Sequence, residues 1–188
     1  VIGPDGDVDG CTAELRFPVV VKAMPTEVEH KTEGNLVRLG IADAAKMHQA
    51  AGDIRRTLGD LNACVLVQEQ IANSLEAVVT VVWNADFGPV LAIGAGGVMV
   101  ELLHDVRYLS LPASPSEIDT ALDSLKLGRL MAGYRGQPPR DRAAFVNAVA
   151  RFASAVGALG PAVREVELNP VMIGAAGEGV IAVDLVVK

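Results

Sequence analysis

Two β-rich runs end the chain, Glu165-Val-Glu-Leu-Asn-Pro-Val-Met-Ile173 and Gly179-Val-Ile-Ala-Val-Asp-Leu-Val-Val-Lys188. The segment that joins them, Gly174-Ala-Ala-Gly-Glu178, is rich in glycine. Runs of β-branched residues on either side of such a turn predict a β-hairpin. Because side chains alternate along a strand, one face of this hairpin is predicted to be apolar. Its members are Val166, Leu168, Ile181, Val183 and Leu185.

The other face of the predicted hairpin carries polar residues. A turn centred between Ala176 and Gly177 would set Asn169 opposite Asp184, with Glu167 one step further along the strand. Two carboxylates and a carboxamide are hard oxygen ligands, which suit Mg²⁺ held jointly with a substrate phosphate. An ordinary polar stripe facing solvent is the alternative, and the hairpin alone does not decide between them.

Composition limits the classes of protein that this chain can belong to. Its 188 residues suffice for one sizeable domain or for two small lobes, and 51% of them are hydrophobic. A net charge of -7 argues against a nucleic-acid surface. There is neither an apolar run long enough to span a membrane nor a signal peptide at the start. Cys11 and Cys64 lack the spacing of a metal site, so we expect a cytoplasmic protein with reduced thiols.

Strand and helix patterns alternate along the chain. Residues 1–15 have a loop-like composition, typical of a frayed or truncated edge. Helical spacing begins after Asp43 and ends at Gly59, and Ser114-Pro-Ser-Glu117 is a capping box that opens a second helix. A third helix is predicted around Phe145, and strand-like runs fill most of the remainder. The predicted fold class is therefore α+β.

Several polar residues stand where they could contact a nucleotide. Lys22 ends a valine run, where it would be either a charge protecting a sheet edge or a cation for a phosphate. Thr32 lies in a polar loop that could either close over phosphates or be an ordinary solvated turn. Glu69 and Glu76 stand at the mouths of two strands, which would suit an adenosine site with Glu76 at the ribose hydroxyls. Two exposed glutamates are the simpler interpretation of that spacing.

Nine short motifs occur in the order seen in NDP-forming acyl-CoA synthetases. They are Pro18-Val-Val-Val-Lys22, His30-Lys-Thr32, Val65-Leu-Val-Gln-Glu69, Phe87-Gly-Pro-Val90, Gly94-Ala-Gly-Gly97, Glu101, Asp105-Val106, Gly133-Tyr-Arg-Gly136 and Glu167-Leu-Asn-Pro170. From about Arg16 to Lys188 the chain resembles the ATP-grasp domain of the ADP-forming acetyl-CoA synthetases. Each motif is weak alone, but nine in register are specific.

This resemblance implies the ATP-grasp fold, in which a nucleotide lies between two α+β lobes with mixed or antiparallel sheets. Residues 16–71 would form a partial first lobe, and residues 72–188 would form a second lobe that carries the metal-binding hairpin. The family's domain begins with further residues ahead of Lys22, so we expect residues 1–15 to be a truncated edge and the fold to be incomplete there.

The resemblance also implies roles for individual residues. Mg²⁺ would be bound by Asn169 and Asp184, with Glu167 as a further candidate ligand. His30 would either take part in phosphoryl relay or orient the phosphate loop. The implied nucleotide contacts are Lys22 at the phosphates, Gln68, Glu69, Gln70 and Ile71 at the adenine, and Glu76 at the ribose.

The implied reaction is acyl-CoA + ADP + phosphate ⇌ carboxylic acid + CoA + ATP, with a phosphohistidine carrying the phosphoryl group to ADP. The CoA-binding and mobile-histidine domains would belong to other parts of the enzyme, so this chain would be an incomplete catalytic unit. Two alternatives remain. The segment Glu33-Gly-Asn-Leu36 stands where the family has an Asp and paired glycines, which would suit a non-catalytic regulatory domain of a protein lysine acetyltransferase. Another ATP-grasp carboxylate ligase is disfavoured by the motifs at Gly94 and Gly133.

Overall fold

The computed structural model of the protein describes residues 15–24, 36–97 and 105–188. The chain divides into two compact units, Val1–Ala72 (the first unit) and Asn73–Lys188 (the second unit). Their assignment as ATP-grasp lobes with bounds 16–71 and 72–188 stays a prediction. No helix in the described ranges is both long and apolar enough to cross a membrane.

A three-stranded antiparallel sheet forms the first unit together with one helix. Strand β1 (Val19–Ala23) lies in the centre, between β2 (Val37–Ile41) and β3 (Val65–Glu69). Helix α1 (Ala44–Leu58) packs against one face of this sheet. The core between them is formed by alternate strand residues and the apolar stripe of the helix, and includes Val19, Val21, Ala23, Met47, Ala51, Ile54, Val65 and Val67.

The ends of α1 lie where the sequence predicts them. The side chain of Asp43 accepts a hydrogen bond from the backbone N–H of Lys46, at 2.8 Å, which satisfies one of the unpaired donors of the first turn. Gly59 ends the helix with φ +68°, a left-handed conformation that glycine adopts without strain. A cap at one end and a glycine at the other therefore determine the length of this helix.

The second unit contains a larger antiparallel sheet. Its strands are β4 (Leu75–Asn84), β5 (Gly88–Ala95), β6 (Val106–Ser110), β7 (Glu165–Ile173), β8 (Val180–Ala182) and β9 (Leu185–Val187). They follow the spatial order β6-β5-β4-β7-β8, and β9 also pairs with β7. Strand β5 includes Gly94 and Ala95, the first two residues of the motif Gly94–Gly97.

Three helices pack on one face of this second sheet. Helix α2 (Pro115–Asp123) opens with the predicted capping box, in which Ser114 and Glu117 exchange hydrogen bonds. The short α3 (Lys126–Met131) was not predicted, and α4 (Arg142–Gly157) contains the predicted Phe145. A 3₁₀ turn at Gly160–Ala162 leads into β7. The core beneath these helices includes Val79, Val81, Leu91, Ile93, Ile118, Leu122, Leu127, Phe145 and Val149.

Together these elements give antiparallel sheets with helices on one face, which confirms the predicted α+β class. Each sheet therefore has a face that packs on helices and a second face that does not contribute to the helix-covered core. We call these the core face and the outer face of each sheet.

Candidate nucleotide and magnesium site

The terminal hairpin has the register that the sequence predicts. Leu168 pairs with Leu185 in β9, and Met172 pairs with Ile181 in β8. Between these pairs, the backbone N–H of Asn169 donates to the carbonyl of Asp184 at 3.4 Å. Asn169 and Asp184 are therefore directly opposite each other, as a turn centred between Ala176 and Gly177 requires.

The predicted apolar face of the hairpin needs a correction. Between β4 and β7, Val79 pairs with Leu168 but Ala77 pairs with Val171, so β7 has one extra residue at Asn169–Pro170, a β-bulge. The bulge reverses the alternation: Val166, which pairs with Val81, and Leu168 point to the core before it, whereas Val171 and Ile173 do so after it.

Ile181 was predicted on the same apolar face as Leu168, and this prediction is wrong. Ile181 pairs with Met172, beyond the bulge, and its side chain is 50% exposed. Leu185 does pair with Leu168 but is 58% exposed, because β9 is short and lies at the margin of the sheet. The bulge is the physical reason, since it shifts the side-chain alternation by one residue.

Glu167 lies on the outer face of the second sheet, with both carboxylate oxygens in contact with donors. Its Oε2 accepts from the Thr80 hydroxyl and its Oε1 from the Asn169 side-chain amide, each at 3.3 Å. Because the Asn169 nitrogen donates to Glu167, the carbonyl oxygen of the same amide faces away from that bond. This arrangement leaves an amide oxygen near a half-buried carboxylate, with Asp184 across the strand pair.

The chemistry of this donor set fits Mg²⁺. Among the described residues, no three His, Cys, Asp or Glu side chains form a group that could hold a metal by themselves. Two carboxylates and one carboxamide oxygen leave several of the six positions of Mg²⁺ for water and phosphate oxygens, which is its usual coordination in nucleotide sites. The residues of the hairpin are therefore suited to a metal shared with a substrate, and less suited to an all-protein metal cage.

Lys22 does not lie at a sheet edge, which was one of the two interpretations of its position in the sequence. It belongs to β1, the central strand of the first sheet, where it pairs with Val37 on one side and Leu66 on the other. Only 5% of the residue is exposed. A charge that protects a sheet edge must stand on an edge strand and in solvent, so that interpretation is wrong.

The end of β3 offers backbone groups for the predicted adenine contact. The N–H of Gln70 donates to the carbonyl of Pro18 at 3.0 Å. Because hydrogen bonding alternates along an antiparallel pair, the backbone groups of Glu69 and Ile71 point to the opposite side, away from β1. In the described part of the first unit, no strand pairs with β3 on that side. An adenine could therefore bind these groups as a further strand would.

The side chains of Glu69 and Gln70 are engaged within the first unit. The Glu69 carboxylate accepts from the backbone N–H of Arg16 at 2.9 Å. The Gln70 side-chain carbonyl accepts from the N–H of Gly40 at 2.6 Å. These two side chains are hydrogen-bonded to neighbouring segments of the first unit. A contact of residues 68–71 with adenine would therefore come from the backbone.

Glu76 lies on the outer face of the second sheet, next to the motif Gly94–Gly97. Its backbone carbonyl accepts from the N–H of Gly96 at 2.9 Å. A Cβ atom at Gly97 would overlap Oε2 of Glu76, and one at Gly96 would lie 2.6 Å from the Ala77 carbonyl carbon. The glycines of this motif therefore allow the chain to pass closely over the start of β4, and Gly97 leaves room for the Glu76 carboxylate.

Asp141 is a residue whose importance the sequence did not reveal. Its Oδ1 caps α4 by accepting from the N–H of Ala144, and its Oδ2 accepts from Gly177 and Gly179 in the hairpin turn, at 3.0 and 2.9 Å. Hydrogen bonds from Ala144 and Gly179, and then from Gly177, lower the pKa of this carboxyl below its usual value of 3.8. Asp141 thus joins the first turn of α4 to the hairpin that carries the proposed metal ligands.

The remaining predicted site residues cannot be placed. His30 and Thr32 lie outside the described residues, as do positions 33–35 of the altered phosphate loop. Their roles stay predictions. Cys64 is described, and it is a free thiol on the surface.

The fold and the polar hairpin place this protein in a known class. Residues 7–188 match the family model of an ATP-grasp domain, and the chain belongs to this ATP-grasp family. The beta subunit of the ADP-forming acetate–CoA ligase II of Pyrococcus furiosus is 28% identical over 176 residues, which cover 91% of this chain and 75% of that subunit. The resemblance that the motifs indicated is therefore confirmed.

Solved structures of a synthetase agree with this assignment. One structure of the dinucleotide-forming acetyl-coenzyme A synthetase 1 of Ca. Korarchaeum cryptofilum, in complex with coenzyme A, Ca-AMPCP and HgCl⁺, has a TM-score of 0.87 and 28% identity, covering 100% of this chain and 82% of that one. Another, with coenzyme A and Mg-AMPPCP, has its phosphohistidine segment pointing towards the nucleotide site (TM-score 0.80, 28% identity, covering 95% of this chain and 79% of that one). The predicted ATP-grasp fold is confirmed.

Several relatives are much longer than this chain, which limits the functional properties that can be inferred from the similarity. This chain spans three quarters of the Pyrococcus subunit, but only 23–25% of several longer ADP-forming CoA ligases and of a trans-feruloyl-CoA synthase. The activity of a whole ligase, its acid substrate and its partner domains are therefore matters for proposal.

Proposed function

We propose that this chain is the nucleotide-binding part of an ADP-forming acid–CoA ligase. It would bind ADP or ATP with Mg²⁺ and transfer a phosphoryl group between the nucleotide and a phosphohistidine. The complete enzyme would then catalyse acyl-CoA + ADP + phosphate ⇌ carboxylic acid + CoA + ATP. The observation that carries this proposal is the ATP-grasp match over residues 7–188, in which the hairpin sets Asn169 opposite Asp184 beside Glu167.

In this proposal the terminal hairpin holds the metal. Asn169, Asp184 and Glu167 would each offer an oxygen, and the nucleotide phosphates and water would complete the coordination. When bound, Mg²⁺ would neutralise part of the negative charge on the transferring phosphoryl group. The hydrogen bonds that Glu167 accepts at both oxygens support this assignment, because they hold the carboxylate in one orientation.

Lys22 would supply a positive charge to the phosphates. This lysine is 95% buried in a central strand, a position where a leucine or valine would be expected. We propose that the phosphates of the bound nucleotide contact this ammonium group, with Thr32 at the same phosphates. His30 would relay the phosphoryl group or orient the loop around it.

The nucleoside would bind through backbone and carboxylate groups. The backbone of Gln68–Ile71 would meet the adenine edge, with the groups of Glu69 and Ile71 that point away from β1 as donor and acceptor. The Glu76 carboxylate would accept hydrogen bonds from the ribose hydroxyls. Each described residue that was predicted to contact the nucleotide thus has a proposed contact.

The proposed reaction needs partners. A CoA-binding domain and a segment with the phosphorylated histidine would come from another part of the same enzyme, since a phosphohistidine segment is present in the similar synthetase. We expect neither nucleic acid nor a membrane as a partner. A cytoplasmic location is also proposed, and it rests on the cysteine content of the sequence.

Calorimetric titration tests the proposal directly. ADP would be titrated into the chain with and without Mg²⁺, for the wild type, Asp184→Ala and a control, Asp86→Ala, which changes an exposed carboxylate in the β4–β5 turn. We expect binding that requires Mg²⁺, that weakens about tenfold or more in Asp184→Ala and that is unchanged in Asp86→Ala. A wild-type chain that does not bind ADP would contradict the proposal and favour the regulatory alternative.

A further inference from the structure

Thr80 is an unusual residue in the second sheet. It lies in β4, a strand with neighbours on both sides, and it is 8% exposed. Among the described residues, only Thr80 and Lys22 are buried side chains that are polar or charged. Burial of a hydroxyl group costs free energy unless the group forms a hydrogen bond. A valine of the same shape would avoid that cost, so the hydroxyl requires an explanation.

The hydroxyl of Thr80 donates to Oε2 of Glu167, which lies directly across from it in β7. The two residues are 87 positions apart in the sequence and adjacent in the sheet. A β-branched side chain in a strand has few rotamers, so the backbone of β4 largely determines the direction of this hydroxyl. Thr80 is therefore a rigid donor aimed at one oxygen of Glu167.

The second oxygen of Glu167 has a donor of its own, the amide of Asn169. With one donor at each oxygen, the plane of the carboxylate is defined by two strand-borne groups, one in β4 and one in β7. A carboxylate fixed in this way presents its remaining lone pairs in a constant direction. That property matters for a metal ligand, because the partners that orient ligands contribute substantially to metal affinity.

We propose that Thr80 is a positioning residue for the Mg²⁺ site, which acts by orienting the carboxylate of Glu167. This inference rests on the proposed function, since it concerns the metal that the nucleotide would share with the hairpin. Thr80 would not touch the metal or the nucleotide itself. Its contribution would reach the site only through Glu167, and this makes the inference testable by combining substitutions.

Thr80→Val removes the hydroxyl and keeps the shape of the side chain. A hydrogen bond to a charged group is stronger than one between neutral groups, but the 3.3 Å separation is long for a hydroxyl donor. We therefore expect the affinity for the metal to fall by about three- to tenfold. The thermal midpoint of unfolding should change little, because the loss of one hydrogen bond to Glu167 is offset by no longer burying a hydroxyl group. If Thr80 had only a structural role, its substitution would lower the thermal midpoint and would not weaken metal binding selectively.

The experiment measures binding of Mn²⁺ in the presence of ADP by electron paramagnetic resonance, with the thermal midpoint recorded for each variant. Thr80→Ser restores a hydroxyl and should recover most of the affinity. Thr120→Val is the matched control, since the Thr120 hydroxyl donates to the Ser116 carbonyl of its own helix, α2, at 2.9 Å. We expect this control to bind Mn²⁺ as the wild type does.

The double variant Thr80→Val/Glu167→Gln decides whether Thr80 acts through Glu167. If it does, the double variant should bind Mn²⁺ no more weakly than Glu167→Gln alone. Additive losses, or unchanged affinity in Thr80→Val, would overturn this inference and leave the proposed function standing. A wild-type chain that binds no Mn²⁺ with ADP would instead contradict the proposed function, and this inference with it.

Discussion

Glu76 lies against a glycine that has no room for a methyl group. A Cβ atom at Gly97 would overlap Oε2 of Glu76, and Gly97 has φ +59°. Gly97→Ala should therefore have two effects, a backbone cost from the left-handed conformation and a displacement of the Glu76 carboxylate. The backbone cost should lower the stability of the protein, and the displacement should weaken the proposed contact of Glu76 with ribose.

The two effects have different magnitudes. A residue with a Cβ atom in the left-handed region costs about 1–2 kcal/mol, which for a chain of this length lowers the thermal midpoint by about 2–8 °C. The overlap itself adds little to that cost, because the end of a glutamate side chain can rotate away. Loss of the charged hydrogen bonds to ribose, at about 1.5–3 kcal/mol, should weaken ADP binding about ten- to hundredfold.

Gly88→Ala is the matched control. Gly88 belongs to the same unit and has φ +71°, but a Cβ atom there would meet nothing within 4 Å. Both alanine variants should therefore lose similar stability in thermal unfolding, while calorimetric titration of ADP with Mg²⁺ should show a loss of affinity in Gly97→Ala alone. The double variant Glu76→Ala/Gly97→Ala should bind no more weakly than Glu76→Ala.

Equal affinities in Gly97→Ala and Gly88→Ala would refute this reasoning. That result would mean that the Glu76 carboxylate either stays in place or does not contact the nucleotide. Additive losses in the double variant would likewise show that Gly97 acts on binding by a route other than Glu76.

Two further predictions concern stability. Hydrogen bonds from Ala144, Gly179 and Gly177 lower the pKa of Asp141, so its contribution is complete above its ordinary value of 3.8 and is lost as the pH falls through the lower folded value. The urea midpoint of Asp141→Asn should thus lie below that of the wild type at pH 6, and the difference should shrink as the pH falls below 3.8; a difference independent of pH would contradict this. Phe145→Ala should lower the free energy of unfolding by about 3–5 kcal/mol, since Phe145 is fully buried under the second sheet, and a change below 1 kcal/mol in urea titration would contradict that packing.

Much of the local structure could be predicted because local signals determine it. A glycine-rich turn and strict alternation determine the register of a hairpin, which is why the pairing of Asn169 with Asp184 is correct. Caps and a terminal glycine similarly determine the bounds of α1. The bulge at Asn169–Pro170 arises instead from the pairing of β7 with β4, which lies about ninety residues earlier in the chain. No local sequence pattern predicts this bulge. The wrong face assigned to Ile181 follows from that long-range pairing.

The sequence could not decide between the two interpretations of Lys22 for a related reason. A valine run that ends in lysine has the same pattern in an edge strand and in a central strand, and only the strand order β2-β1-β3 distinguishes them. Thr80 gave no signal at all, because threonine is common in strands and its partner Glu167 is distant in the sequence. Residue types could thus suggest the ligands, whereas the residues that orient those ligands depend on which strands become neighbours.

The outer faces of the two sheets explain why these polar residues can be buried without disrupting the core. In β1, Val19, Val21 and Ala23 point to the core under α1, so Lys22 must point to the outer face. In β4, Val79 and Val81 point to the core under the helices, so Glu76 and Thr80 lie on the outer face, and Glu167 lies there with them. The helix-covered core therefore occupies one face of each strand, and alternation leaves the other face free to carry charged and polar groups beside valines such as Val20 and Val78. Substitutions on the outer faces should accordingly change ligand affinity more than stability, and substitutions on the core faces should do the reverse.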